Sequence, residues 1–401
     1  MENPKIRFKG FTKDWEQRRF GEITELKSAS RVHKDEWTSN GVPFYRSSDV
    51  MTAINGTENE KAFISEELYE KLSKVSGKLE EGDILVTGGG SVGNPYIVPD
   101  NKPLYTKDAD LLWIKNKGKF HPYFLYEFFF SPTFRNYLGS ISHVGTIAHY
   151  TITQLSDTPI GLPIFEEQKE VGEYFQSLDR LITLHQRKCD QTKNLKKYML
   201  QKMFPQNGAK VPEIRFDGYT YDWEQRKFGE LYSKVSEKND LSFGADKIIS
   251  VANMYFKEEV KESSDEYMRT YNVMRLGDIA FEGNKSKNYS HGRFVENTIG
   301  DGIVSHVFDV FRPTTSYDLL FWKYLINNEG VMGRIMARCT NASTMMTNLV
   351  ASDFLKEKIL VPSLKEQKKI GAYFDSLDHL ITLHQRQTDF YKKISFYYIS
   401  S

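Results

Sequence analysis

Residues 4–23, PKIRFKGFTKDWEQRRFGEI, return at 212–231 as PEIRFDGYTYDWEQRKFGEL, with 14 of 20 positions identical. Residues 162–190, LPIFEEQKEVGEYFQSLDRLITLHQRKCD, return at 361–389 as VPSLKEQKKIGAYFDSLDHLITLHQRQTD, with 18 of 29 identical. Two long matches in the same order require one architecture used twice. Between the matched ends the halves diverge. Weak echoes remain: Gly82-Asp83-Ile84 answers Gly277-Asp278-Ile279, and each is followed by a Gly-rich polar loop, TGGGSVGNPY (87–96) or EGNKSKNYSHGR (282–293). Phe124-Leu125-Tyr126 likewise answers Leu319-Leu320-Phe321. The order is module, helix, module, helix. A shared frame with divergent surface chemistry suits a protein that reads two different things.

The modules predict an α+β fold. Short β-like runs (43–45, 83–87, 111–115; 248–251, 278–281, 307–311) alternate with turn residues and with helical stretches at 122–137 and 319–338. The repeated segments read differently. From Glu166 to Met203 there is no Pro, and small or apolar residues step by four and three through Val171, Phe175, Leu178, Ile182, His185, Cys189, Thr192, Lys196, Met199 and Met203. The second copy gives Ile370, Phe374, Leu377, Ile381, His384, Thr388, Tyr391, Ser395 and Tyr398. That is a heptad seam. A helix of about 38 residues is about 57 Å long, longer than either module, and should pack antiparallel on its own repeat. The expected architecture is two repeated globular domains separated by two long antiparallel helices about a pseudo-twofold. Its boundaries are 1–160, 161–207, 208–360 and 361–401.

Composition removes other classes. Lys and Arg total 54 against 53 Asp and Glu, a net charge of +1, which excludes a polycationic, non-specific nucleic-acid binder but not local DNA-contact patches. Two cysteines, Cys189 and Cys339, are too few for a disulfide framework or a four-cysteine zinc site. The opening MENPKIRFKGF lacks the apolar core of a signal peptide, and no run reaches the roughly 18–20 apolar residues of a membrane span. A cytoplasmic protein is expected.

Catalytic signals fail one by one. GGGSVG at 88–93 is followed by Asn94 where a phosphate-binding loop has Lys, so it reads as a turn that lets backbone approach another surface. Asn94-Pro95-Tyr96 lacks the second Pro of an adenine methyltransferase motif. Glu167-Gln168-Lys169 and Glu366-Gln367-Lys368 match half of a nuclease site, but they sit in a first helical turn, where acids belong for dipole reasons. The nine histidines show no metal-ligand spacing. His185 and His384 fall at equivalent seam positions and read as packing residues.

DNA contact has better support. Arg46, Ser47 and Ser48 follow a strand, Thr87 and Ser91 lie in the first Gly-rich loop, and Lys285, Lys287, Tyr289 and Arg293 in the second. His143, Thr146, His149 and Tyr150 precede the first long helix as Asn341, Ser343 and Thr344 precede the second. Such loops supply Lys and Arg for phosphate or guanine, and Asn, Ser and Thr for base edges. Two other functions stay open at this point: a scaffold whose modules bind peptides, and a self-contained DNA methyltransferase or nuclease.

The duplicated Arg-Phe-x-Gly…Asp-Trp-Glu-Gln-Arg openings (7–18, 215–226) and Pro-x-x-x-Glu-Gln-Lys…Leu-Asp-x-Leu-Ile-Thr-Leu-His-Gln-Arg helices (163–187, 362–386) resemble the specificity subunit of a type I restriction–modification enzyme, over essentially the whole chain. The resemblance implies a non-catalytic subunit of a phage-defence system. Each variable module would be a target recognition domain for one half of a split site in double-stranded DNA, and the helices would be spacers that dock two methyltransferase subunits. S-adenosylmethionine would belong to those partners, ATP and Mg to restriction subunits, and no cofactor to this chain. One departure stands out: the first helix continues as LKKYMLQKMF (195–204), the second as YKKISFYYISS (391–401), so the last turns of the second helix are expected to be shortened or altered, at the expense of its terminal partner contacts.

Overall fold

The computed structural model describes residues 4–107, 110–141, 149–206, 208–258, 264–342 and 346–399. It forms two units, residues 1–185 with 386–401, and residues 186–385.

In the first unit, a four-stranded antiparallel sheet runs in the order Leu26–Ser28, Leu111–Ile114, Ile84–Thr87, Pro95–Ile97. Its two middle strands are buried along their whole length, and all but Thr87 of their residues are apolar, because both faces are covered. Phe20, Phe129, Phe134 and Leu155 pack on one face, and Val50, Leu79 and Leu104 belong to the core on the other. A smaller sheet, Ala62–Ile64, Val42–Tyr45 and Tyr105–Thr106, has its last pair parallel. Entry and exit of the module meet: Glu16–Arg19 pairs antiparallel with Pro159–Leu162, Glu16 opposite Leu162 and Arg19 opposite Pro159.

The second unit repeats this plan. Its four-stranded sheet is Tyr232–Val235, Val310–Pro313, Ile279–Glu282, Arg293–Glu296, and Glu224–Lys227 pairs with Lys358–Val361 at the neck. A core of Phe228, Phe294, Phe311, Trp322 and Phe354 lies behind the sheet. The α+β class is as expected from the alternation of short strands and turns.

Two expected helices are each broken. The stretch at 122–137 is Pro122–Phe128 followed by Pro132–Ile141, because Pro132 cannot continue the first helix but can open the next. The stretch at 319–338 is Leu319–Ile326 followed by Glu329–Cys339. Asn328 causes that break, its Oδ1 accepting from the Gly330 amide at 3.0 Å as an N-cap.

The long helices are Phe165–Lys202 and Leu364–Ile399. In the first unit Tyr174 meets Tyr398 (centroids 5.5 Å apart) and His185 stacks on Tyr391 at 5.7 Å. In the second, Cys189 Sγ faces the Ile381 carbonyl at 3.8 Å, Lys196 pairs with Asp378, and Phe204 stacks on Phe374 at 5.9 Å. As one number rises its partner falls, so the pairing is antiparallel in both units. Seam residues Phe175, Leu178, Phe374 and Leu377 are buried, and Ile182, His185, Ile381 and His384 are half-buried.

Each long helix is locked to its module by the same three devices. Gln168 Nε2 donates to the Pro163 carbonyl and its Oε1 accepts from the His121 amide; Gln367 does the same with Pro362 and Asp318. Gly172 and Gly371 let the module come close, since a Cβ there would lie 2.1 Å from His121 Nδ1 or 2.7 Å from the Phe321 amide nitrogen. Arg7 and Arg215 grip Glu167 and Glu366 in forked ion pairs. The Glu-x-Lys acids are therefore structural anchors.

Candidate nucleic-acid interface

Both Gly-rich loops leave the sheet at the same place and are tied down in the same way. In the first unit Gly89 bridges His149, and the Tyr150 amide donates to the Gly88 carbonyl at 2.8 Å. In the second, Asn284 bridges Met346, and the Thr347 amide donates to the Gly283 carbonyl at 2.8 Å. Two segments about 60 residues apart in the chain thus meet in each unit, and both are segments whose composition suits DNA contact. A Cβ at Gly283 would lie 2.2 Å from the Thr347 carbonyl, so this junction needs glycine.

A third segment joins each cluster. Ser47 Oγ donates to the Asp110 carbonyl at 3.0 Å, and the same carbonyl accepts from the Gly88 amide at 2.7 Å. This brings the N-terminus of helix Ser47–Asn55 beside the first loop. In the second unit the Arg293 guanidinium reaches the Ala252 carbonyl at 2.5 Å and Glu282 at 2.9 Å, tying the loop to the segment after strand Ile249–Ser250.

The individual side chains divide into those that face out and those that hold the loops. Ser48, Ser91, His149, Lys285, Lys287 and Asn341 are exposed. Asn341 stands opposite Asn348 in a two-stranded hairpin, Thr340–Ala342 with Thr347–Leu349, and both amides are exposed. Composition alone does not single out Asn348; strand alternation through CTNASTMMTN would have suggested it.

Four candidates need correction. Thr87 is 0 % exposed, and its hydroxyl donates to the Ser91 carbonyl and accepts from the Asn94 amide. Tyr150 is 1 % exposed and its hydroxyl bonds Thr158. Both brace the loop from inside and offer no surface to a duplex. Arg46 forms an ion pair with Asp49 at 2.9 Å, donates to the Glu60 carbonyl and lies over the Trp37 ring. Burial alone would raise the Asp49 carboxyl, but hydrogen bonds from Arg46 and Asn59 hold it below the ordinary range. Arg293, paired to Glu282 and stacked 5.0 Å from the Tyr289 ring centroid, is also committed internally. His143, Thr146, Ser343 and Thr344 lie outside the described residues.

Among the described residues no group of three or more His, Cys, Asp or Glu could hold a metal, and no helix is long and apolar enough to cross a membrane. What the clusters present is a rim of hydroxyls, amides and lysines on a rigid sheet, the donor set for phosphates and base edges.

The type I restriction modification DNA specificity domain matches residues 12–194 and 221–389, once in each half of the sequence, and the chain belongs to that family of specificity subunits. It is thus a DNA-recognition subunit of the type I restriction–modification class, whose specificity subunits are non-catalytic. It is 24 % identical over 357 residues to the type I restriction enzyme MjaVIII specificity subunit of Methanocaldococcus jannaschii, covering 82 % of this chain and 80 % of that one. It is 26 % identical over 170 residues to a putative specificity subunit, S.HindORF215P, of Haemophilus influenzae, where the match spans 40 % of the relative's length. A solved type I S subunit from M. genitalium shares the fold at a TM-score of 0.58 and 13 % identity, over 99 % of this chain and 97 % of the other.

Proposed function

We propose that the chain reads a bipartite duplex site, one half with each loop cluster, and offers its long helices to two methyltransferase subunits. S-adenosylmethionine is then held by those partners, and ATP and Mg by restriction subunits that join them to cleave unmodified DNA. The observation that supports this reading is the matched pair of backbone bridges, Gly89 to His149 and Asn284 to Met346, which assembles the same recognition platform in both units from divergent sequence. The exposed residues on these platforms, Ser48, Ser91, His149, Lys285, Lys287, Asn341 and Asn348, are the candidates for DNA contact. With a net charge of +1 the chain alone should bind duplex weakly, its partners adding phosphate contacts.

A module exchange tests this. Residues 24–155 are replaced by the corresponding stretch of another family member, and methylated adenines are mapped in cells carrying the partner subunits. One half-site should change and the other persist. Simultaneous change of both would refute one-unit, one-half-site reading.

A further inference from the structure

On the rim of the second unit's platform two side-chain amides stand directly opposite each other. Asn341 and Asn348 are cross-strand partners in the hairpin of Thr340–Ala342 with Thr347–Leu349. Both are exposed, and among the described residues neither side-chain amide has a hydrogen-bond partner. Exposure alternates along the second strand: Met346 is 43 % exposed, Thr347 is 3 % exposed, and Asn348 is exposed again. Met346 and Asn348 therefore share the outer face. Asn341 lies on that face too, since directly opposed residues of an antiparallel pair project to one side.

The inner face is fastened to the rest of the unit. The Thr347 hydroxyl lies within hydrogen-bond distance of the Gly283 and His291 carbonyls, at 3.1 and 3.0 Å. At the base of the hairpin the Val350 amide donates to the Cys339 carbonyl at 2.8 Å. The ribbon is thus held against the loop that carries the exposed Lys285 and Lys287.

A two-stranded ribbon is one of the elements that the major groove of B-DNA, about 12 Å wide, admits. A carboxamide offers one donor group beside one acceptor. Of the four base edges in that groove only adenine presents the complement, its N6 donor beside its N7 acceptor. Guanine presents two acceptors, cytosine a donor, and thymine an acceptor and a methyl group. Opposed side chains have Cβ atoms about 4.5–5.5 Å apart, and base pairs rise about 3.4 Å, so the two amides reach pairs one or two steps apart. Met346, on the same face, offers apolar contact for a thymine methyl, the other half of an A·T pair.

We propose that this hairpin enters the major groove of the half-site read by the second unit, where Asn341 and Asn348 each take the N6–N7 edge of one adenine. The proposal rests on the reading of one half-site by each unit, and adds which bases the second unit selects and with which side chains.

The test uses the full chain assembled with its methyltransferase subunits, and maps the site by methylation of a randomised duplex library. Exchange of residues 24–155 marks the second unit's half-site as the one that persists. Asn341→Ala and Asn348→Ala should each relax one A·T pair of that half-site, by roughly tenfold to a hundredfold in discrimination. The other positions and the melting temperature of the chain should not change. A duplex with 7-deazaadenine at the relaxed position lacks the N7 acceptor. It should bind the parent complex more weakly than the unmodified duplex does, but bind the alanine complex equally well, because both changes remove one interaction. A change of both half-sites on exchange would sink the reading of one half-site by each unit. With that reading intact, relaxation at no position, relaxation at a G·C pair, or an equal 7-deazaadenine penalty in parent and variant would overturn the adenine contacts.

Discussion

The Arg7 guanidinium closes on the Glu167 carboxylate with two hydrogen bonds, of 2.8 and 2.7 Å, across 160 residues of chain. Arg215 and Glu366 repeat the fork at 2.7 and 2.8 Å. The Glu167 side chain is 2 % exposed and that of Glu366 1 %, so neither acid has water as an alternative partner. The forks fasten the segment before each module to the first turn of the long helix that follows it.

Removing one arginine should therefore cost more than a surface ion pair would. Arg7→Ala leaves a buried carboxylate uncompensated, and a loss of about 3 kcal/mol is expected. The double variant Arg7→Ala, Glu167→Gln should recover part of it. Urea melts of the parent, both single variants and the double variant measure this; additive losses would mean that the fork does not couple the two residues.

Glu296 sets a pH dependence. Burial first, and the charge of Asp318 second, push its acid up to about 9, with Lys323 opposing. Unfolded, it ionises near its ordinary value of 4.5. Between these values the folded chain holds a proton that the unfolded chain has released. Its contribution to stability should therefore fall as pH rises from about 4.5 toward 9 and level off above. Glu296→Gln should raise the melting temperature near pH 8, with the gain shrinking toward pH 4. A constant difference between variant and parent at all pH values would contradict this.

The loop lysines and Arg293 should separate experimentally. Lys285→Ala with Lys287→Ala should weaken DNA binding by the assembled complex without changing its site, and should flatten the salt dependence by about one unit for each phosphate that a lysine neutralises. Arg293→Ala should instead lower the melting temperature of the chain alone, because it breaks the tie to Glu282 and the Ala252 carbonyl. Equal melting temperatures for Arg293→Ala and the parent would remove Arg293 from the structural role.

Helical glycines provide a matched pair. A Cβ at Gly371 would lie 2.5 Å from Asp318 Oδ1 and 2.7 Å from the Phe321 amide nitrogen, whereas among the described residues nothing lies within 4 Å at Gly139 in helix Pro132–Ile141. Gly139→Ala should stabilise by about 0.5–1 kcal/mol through helix propensity. Gly371→Ala should destabilise, because backbone would have to move. Thermal melts of the two variants should shift in opposite directions.

The repeat made the two units and the long helices legible, because seam positions such as Phe175 and Phe374 keep one spacing whatever the modules do. The loops were legible as segments but not as side chains. Composition cannot tell that Thr87 and Tyr150 turn inward while Ser91 and His149 turn out, since all four fit a polar rim and backbone pairing decides between them. The Arg7–Glu167 fork was hidden by distance along the chain. Its only trace was that Arg7 and Glu167 both return in the repeat, as Arg215 and Glu366. Breaks at Pro132 and Asn328 escaped because apolar spacing runs on across them.

The neck pairings bear on how such proteins change over generations. Arg19 lies opposite Pro159, and Lys227 opposite Lys358, so each variable stretch departs and returns through neighbouring strands. Partners in an antiparallel ladder have Cα atoms roughly 5 Å apart whatever lies beyond them. A foreign stretch has only to match that one short gap, and the duplicated coding sequence on either side gives recombination a homologous place to act. A new specificity then needs only a cassette exchange, with the two long helices left unchanged.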